Sequence, residues 1–164
     1  KPLPEPSASQ IAVGVMGLGV IGQKIAQALT GLGYTVHGWS RTERKLQGVH
    51  TYAGENGLPD FLRSTQVLIN VLPLTQQTRA ILNQQTLSQL QAPASLINIG
   101  RGEHLQEDDL LELMKSGHIG KAVLDVFCTE PLPQGHPFWI HPNIIVTPHI
   151  SGPTNDELAL AQIN

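Results

Sequence analysis

Gly17, Gly19 and Gly22 stand at G-x-G-x-x-G spacing within Val15 to Gly22, a pattern that can hold the pyrophosphate of a dinucleotide. The first glycine permits a tight strand-to-helix turn, the second lets the phosphates approach the backbone, and the third lets the helix pack closely on the strand. Free N–H groups at the helix N-terminus then face the phosphates. Further along, Arg101, Glu130 and His149 each lie at or just after the end of an apolar run, within Asn98 to Gly102, Leu124 to Pro133 and Val146 to Ile150. A cation can hold a carboxylate and polarise a carbonyl, and an imidazole can protonate a developing alkoxide. A carboxylate beside the imidazole favours its protonated form, so a proton is available near neutral pH. Hydride transfer between a nicotinamide and a carbonyl needs these three residue types.

The residue ending the second apolar run bears on which dinucleotide is bound. Ser40 falls 18 residues after Gly22, where an NAD-binding unit usually places an acid for the ribose 2′-hydroxyl. Here the chain reads Ser40-Arg41-Thr42-Glu43-Arg44-Lys45. An acid at that position would repel a 2′-phosphate, whereas Arg41 can meet one with a charge-assisted hydrogen bond. NADP(H) is therefore expected over NAD(H). Arg44 and Lys45 read equally well as solvated charges opening a surface helix.

These residues need a scaffold that brings strand ends together. Ile11 to Met16 reads as a buried parallel strand, and Ile21, Ile25, Ala28, Leu29 and Leu32 recur at helical spacing behind it. Tyr34 to Trp39 is a second strand, Leu58 to Arg63 a short helix with Pro59 near its first turn, and Val67 to Leu72 a strand stopped by Pro73. Asn83 is placed to cap a helix running to Leu90. Ser95 to Ile99 is a strand, Glu107 to Lys115 a helix ended by Gly117, Lys121 to Val126 a strand, and Asn143 to Val146 the last strand. Thr154 or Asn155 can cap a final helix. The alternation predicts an α/β fold of Rossmann type, a doubly wound parallel sheet. Ligands bind outside the carboxyl ends of such strands, so Arg101, Glu130 and His149 are expected to converge on one crevice.

Composition narrows the function class. With 164 residues and 40% apolar content the chain can bury one sizeable core. A formal charge of −3 gives no basic footprint for nucleic acid. Cys128 is the single cysteine, which excludes an internal disulfide framework and suits a reducing compartment. No apolar run approaches membrane-spanning length and no signal-peptide pattern opens the chain, so a soluble cytoplasmic protein is expected. His37, His50, His104 and His118 offer no metal-ligand spacing, and no metal is expected. His136 and His141, both before proline, read as structural.

In order and spacing, a set of motifs resembles the cofactor domain of the D-isomer-specific 2-hydroxyacid dehydrogenases, and within them the glyoxylate/hydroxypyruvate reductases. The set comprises the glycine turn, Gly38 to Arg41, Leu72 to Thr75 with Thr78, Arg101-Gly102, Leu124 to Pro133, His136 to Trp139, and Thr147-Pro148-His149. The resemblance implies that Arg101 binds substrate, His149 is the acid/base, Glu130 is its partner, and Asp125 lies close to the nicotinamide. It also implies cofactor contacts from Leu18, Gly19, Val20 and Ile21, from Leu72, Pro73 and Thr78 on the adenine-ribose side, and from Ile99, Gly100 and Ser151. A small 2-oxoacid or 2-hydroxyacid substrate and a homodimer formed through this domain are implied as well.

Family members are longer, with a substrate domain built from an N-terminal half and a C-terminal return helix. On the resemblance, residues 1–9 are a linker from a missing N-terminal half, 10–153 the NAD(P)-binding domain and 154–164 the start of the return helix. The substrate domain would be largely absent from the chain, leaving it able to bind cofactor but inactive alone. An NAD-dependent phosphoglycerate-type dehydrogenase and a non-catalytic NAD(P)-sensing module of corepressor type are the alternatives.

Overall fold

Alternate residues of the first strand face two cores. Val15 packs with Leu18, Ala26 and Val36 on one side, and Met16 joins the larger cluster of Phe61, Leu68, Leu96, Leu124 and Phe138 on the other. A strand buried on both faces reads as a continuous apolar run, which is why these segments were legible. The computed structural model describes residues 6–152. Among them, seven strands form one parallel sheet in the order β3-β2-β1-β4-β5-β6-β7. They are β1 (Ala12–Met16), β2 (Thr35–Ser40), β3 (Val49–Ala53), β4 (Val67–Asn70), β5 (Ala94–Asn98), β6 (Ile119–Leu124) and β7 (Ile144–Val146). The helices are α1 (Val20–Gly31), α2 (Gly54–Arg63), α3 (Gln84–Leu87) and α4 (Glu107–Lys115).

The doubly wound parallel sheet is thus present, and its strand order reverses between β1 and β4. Chain progression runs outward on both sides of that pair, which leaves a crevice at their carboxyl ends. The turns after β5, β6 and β7 open on the same edge.

Several expected elements differ in extent. Val49–Ala53 was not expected as a strand, yet it pairs along β2 from Val36↔Val49 to Ser40↔Ala53. It lies at the sheet edge and none of its residues is fully buried, so its sequence carries no apolar run. Helix α2 begins at Gly54 rather than Leu58, which puts Pro59 in its interior. Strand β4 stops at Asn70, two residues before Leu72, because the backbone turns where the Asn70 side chain accepts the Leu72 N–H. Asn83 does cap α3 through the Thr86 N–H, but the helix is a single turn to Leu87. Strand β6 starts and ends two residues before the expected Lys121 to Val126. Across the end of the expected linker, Ala8–Gln10 form a 3-10 turn, and Thr35 Oγ1 donates to the Ser9 carbonyl. The helix expected from Thr154 or Asn155 lies outside the described residues.

Candidate active site at the carboxyl ends of the strands

The turn after β1 is shaped by its glycines. Gly17 adopts φ 109°, and its N–H donates to the Trp39 carbonyl at 2.9 Å. A Cβ at Gly22 would lie 1.8 Å from the Gly17 carbonyl oxygen, so no side chain fits there. A Cβ at Gly19 would meet nothing within 4 Å, which leaves open space over the turn. Gly19 is also the N-cap of α1 and brings no capping side chain to the first-turn amides of Val20, Ile21 and Gly22. Those amides carry the positive end of the helix dipole. Leu18 is buried beneath Gly38, so only its backbone can reach a ligand, while Val20 and Ile21 are exposed.

At the end of β2 the Ser40 hydroxyl donates to the Thr42 carbonyl at 2.8 Å, shaping the turn that presents Arg41. Trp39 Nε1 donates to the Gly54 carbonyl at 2.9 Å and ties that turn to the start of α2. Arg41 is exposed beside a strand end that carries no acid. On the opposite lip, Leu72 is buried and Pro73 exposed. Thr78 Oγ1 donates to the Pro73 carbonyl at 2.7 Å and accepts the Thr75 N–H at 2.8 Å, so this hydroxyl builds the turn. An open glycine turn, a helix start without a capping side chain and an exposed cation that forms no ion pair among the described residues suit a 2′-phosphorylated dinucleotide.

On the other side of the crevice, His149 Nδ1 lies 2.8 Å from Glu130 Oε2. Glu130 Oε1 accepts the Phe127 N–H at 3.0 Å. The hydrogen bond to His149 holds the Glu130 carboxyl below its ordinary range, aided by the Phe127 N–H and opposed by partial burial. The carboxylate is therefore the form that faces the imidazole at neutral pH.

His149 has φ 54°, in the left-handed region that costs a non-glycine residue of order 1–3 kcal/mol. Asp125 supplies the opposing force. Only 1% exposed, its carboxylate accepts the Thr147 hydroxyl, the Ile150 N–H at 2.9 Å, and both the hydroxyl and the N–H of Ser151. Burial works against ionisation of Asp125, but these four donors overcome it and hold the carboxyl at about 2. Asp125 and Ser151, both expected near the nicotinamide, are thus bonded to each other, and Asp125 holds the Thr147 side chain before His149 and the backbone of Ile150 and Ser151 after it.

Arg101 completes the group. It shares a cavity of about 220 Å³ with Glu130 and His149, lined also by Gly102, Phe127 and Cys128. A Cβ at Gly102 would lie 1.9 Å from the Phe127 carbonyl carbon, so the turn carrying Arg101 sits directly on the turn carrying Glu130. Ile99 and Gly100 lead into it from β5. A second cavity of about 390 Å³, bounded by Leu132, Trp139, Val146 and Pro148, opens on the same Glu130–His149 pair. His136 lies 3.0 Å from Glu107 and caps a 3-10 turn, and His141 accepts the Asn143 N–H.

Three residues beneath the crevice escaped the sequence reading of the site: Asn70, Asn98 and His104, all fully buried. The signal for the two asparagines was the repeated Ile-Asn at the ends of neighbouring apolar runs, Ile69-Asn70 and Ile97-Asn98, and His104 had none.

Residues 2–151 match the family model described as D-isomer specific 2-hydroxyacid dehydrogenase, NAD binding domain. A glyoxylate/hydroxypyruvate reductase A from Yersinia enterocolitica is 48% identical over 99% of the chain and 52% of that relative. The chain spans about half the length of the curated relatives it matches. Among solved structures, a D-isomer specific 2-hydroxyacid dehydrogenase from Xanthobacter autotrophicus Py2, in complex with NADPH and MES, superposes with a TM-score of 0.95 at 40% identity. That likeness covers 99% of this chain and 67% of the other. An NADPH-dependent glyoxylate/hydroxypyruvate reductase from Sinorhizobium meliloti, in complex with NADP and sulfate, gives 0.92 at 42% identity over 98% of this chain and 52% of the other.

Proposed function

The chain belongs to the D-isomer specific 2-hydroxyacid dehydrogenase family by its NAD binding domain, and from that premise we propose that it is the NADP(H)-binding part of a reductase acting on glyoxylate, hydroxypyruvate or a related 2-oxoacid. The observation that carries this reading is the meeting of Arg101, Glu130 and His149 at one cavity on the sheet edge where the glycine turn opens.

The α1 amides and the Gly17–Gly22 turn would hold the pyrophosphate, and Arg41 the 2′-phosphate. Leu72, Pro73 and the Thr78-braced turn would line the adenine-ribose side, with Ile99, Gly100, Asp125 and Ser151 toward the nicotinamide. When bound, NADPH supplies a hydride equivalent to the substrate carbonyl carbon. Arg101 pairs with the substrate carboxylate and polarises the carbonyl, so that negative charge developing on its oxygen is met by a fixed cation. Protonated His149 donates its Nε2 proton to that oxygen as general acid. Glu130, bonded to Nδ1, orients the ring from which the proton leaves. In the oxidation of a 2-hydroxyacid the neutral imidazole accepts the proton instead.

In this reading residues 10–153 form the cofactor domain, and a second domain of the kind that completes the relatives' length closes over the cavity and excludes water. Pairing of two copies belongs to the same reading. The edge strand β7, the 137–139 turn and the residues that follow each of them expose Trp139, Ile140, Ile145 and Ile150, apolar side chains that a partner would cover. A cytoplasmic location is supported by the single, unpaired Cys128. Among the described residues, no helix is long and apolar enough to cross a membrane.

The test is calorimetry of the chain with NADPH and NADH, together with assay of glyoxylate and hydroxypyruvate reduction by a full-length reductase whose NAD binding domain is this chain. Tighter binding of NADPH and NADPH-dependent turnover are expected. Equal affinities would remove the assigned role of Arg41, and binding without turnover would remove the enzymatic one.

A further inference from the structure

Asn70 and Asn98 pair directly across β4 and β5, and His104 closes a hydrogen-bonded set with them below the crevice. Asn70 Nδ2 donates to Asn98 Oδ1 and to His104 Nδ1, each at 2.9 Å, while its Oδ1 accepts the Leu72 N–H at 3.2 Å. Asn98 Oδ1 also accepts the Gly100 N–H at 3.2 Å, and its Nδ2 donates to the Arg101 carbonyl at 3.2 Å. His104 Nδ1 accepts the Arg101 N–H at 3.1 Å, and its Nε2 lies 3.3 Å from the Pro73 carbonyl oxygen.

The pattern dictates the state of the ring. Two N–H donors point at Nδ1, so that nitrogen carries no proton. Nε2 faces a carbonyl, so that nitrogen carries one. Burial lowers the imidazole pKa against the opposing pull of the Pro73 carbonyl, which keeps the ring neutral. Gly100 is pressed onto the set: a Cβ there would lie 2.8 Å from Asn70 Nδ2 and 3.0 Å from His104 Nδ1.

We propose that His104 is a positioning residue: as the neutral Nε2–H tautomer, held by Asn70 and Asn98, it joins the Arg101 backbone to the Leu72–Pro73 turn and so fixes the substrate-facing cation relative to the cofactor wall. The importance given to these two turns rests on the function proposed above. The bridge itself does not. An imidazole suits the place because it offers an acceptor and a donor on separate ring atoms. Asparagine can present an acceptor near the position of Nδ1 but cannot reach Pro73, and phenylalanine fills the space while offering neither.

The test uses the chain with its histidines labelled with ¹⁵N, and two substitutions. In the unmodified chain His104 is expected to give the Nε2–H tautomer signature across the pH range in which exposed histidines titrate. A protonated Nδ1, or an imidazolium near neutral pH, would overturn the proposal. His104→Phe should speed hydrogen exchange of the Arg101 amide and weaken NADPH binding, each by about tenfold for the loss of one hydrogen bond. His104→Asn should restore the Arg101 amide while leaving NADPH weak, because the Pro73 carbonyl stays without its donor. Equal behaviour of the Asn and Phe variants at the Arg101 amide would refute the bridge. If His104→Phe does not fold, the tautomer of the unmodified chain and a comparison of it with the Asn variant still decide the matter. Failure of the unmodified chain to bind NADPH would defeat the proposed function instead, with the tautomer and the Arg101 amide still testing the bridge.

Discussion

At the carboxyl end of β1 the groups offered to a ligand are backbone amides, whereas at the ends of β5, β6 and β7 they are side chains held in place by other side chains. The first region depends on local geometry: Gly17 at φ 109°, and Gly22 with no room for a Cβ against the Gly17 carbonyl. The second gathers Arg101, Glu130 and His149 from three separate turns and keeps His149 in a left-handed conformation through the four donors gathered by Asp125. Backbone recognition suits pyrophosphate, which presents the same oxygens in every dinucleotide. Proton transfer needs ionisable side chains, and these need a supporting network to fix their geometry. The glycine turn should therefore fail at a few positions that admit no side chain, and the Glu130–His149 side should fail wherever a supporting bond is cut.

The sharpest break in the comparison is His149→Gln, which should remove catalysis and spare the backbone region. In a full-length reductase with this domain, kcat should fall by roughly 10²–10⁴, the usual contribution of a positioned acid or base. Calorimetry should show NADPH affinity nearly intact, and a parallel loss of binding would mean that the two regions are not separable. Gly22→Ala should do the reverse. Forcing a Cβ into the turn costs about 1–3 kcal/mol of stability, and the turn, shifted to make room, should bind NADPH about tenfold to a hundredfold more weakly. Gly19→Ala, which points into open space, should lower thermal stability by no more than the loss of a glycine N-cap, about 1 kcal/mol, and act chiefly on the ligand-bound state.

Arg41→Ala probes the cation assigned to the 2′-phosphate. Loss of a hydrogen bond to a charged group is worth about 1.5–3 kcal/mol, so the preference for NADPH over NADH should drop by about tenfold to a hundredfold. An unchanged preference would hand the 2′-phosphate to the backbone or to Arg44 and Lys45. The smallest effect concerns Asp125, whose carboxyl sits at about 2 in the fold against an ordinary 3.8. A depressed folded value stabilises the protein above about pH 4, and that stability is lost as pH falls through about 2. The shift amounts to about 2 kcal/mol. Urea unfolding followed against pH should show Asp125→Asn less stable at neutral pH, with the gap from the unmodified chain closing between about pH 4 and 2. Parallel curves across that window would show that Asp125 does not brace the His149 turn.

Much of the scaffold was readable from local pattern. Buried parallel strands such as β1 and β4 appear as unbroken apolar runs, and α4 shows its apolar face together with an acidic first turn. Edge strand β3 was missed because Val49–Ala53 is nowhere fully buried, so nothing in its composition sets it apart from a loop. The ends of β4 and β6 were misplaced because the chain leaves the sheet while its residues are still apolar. Arg101, Glu130 and His149, which the structure brings to one cavity, were singled out because their types are reactive and they follow apolar runs. Asn70, Asn98 and His104 were not, because buried amides and a histidine acquire meaning only from the partners that face them.

The sequence by itself determined the glycine turn, the cation after the second strand, the alternation of strands and helices apart from β3, and the residues able to move a proton, since each depends on neighbours close along the chain. Only the tertiary structure decided that Gly102 would seat on Phe127, that Asp125 would close on Thr147, Ile150 and Ser151, and that His104 would link Arg101 to Pro73. Most of those contacts join turns from different strands, and their geometry follows from parallel register and close packing, which local spacing does not specify.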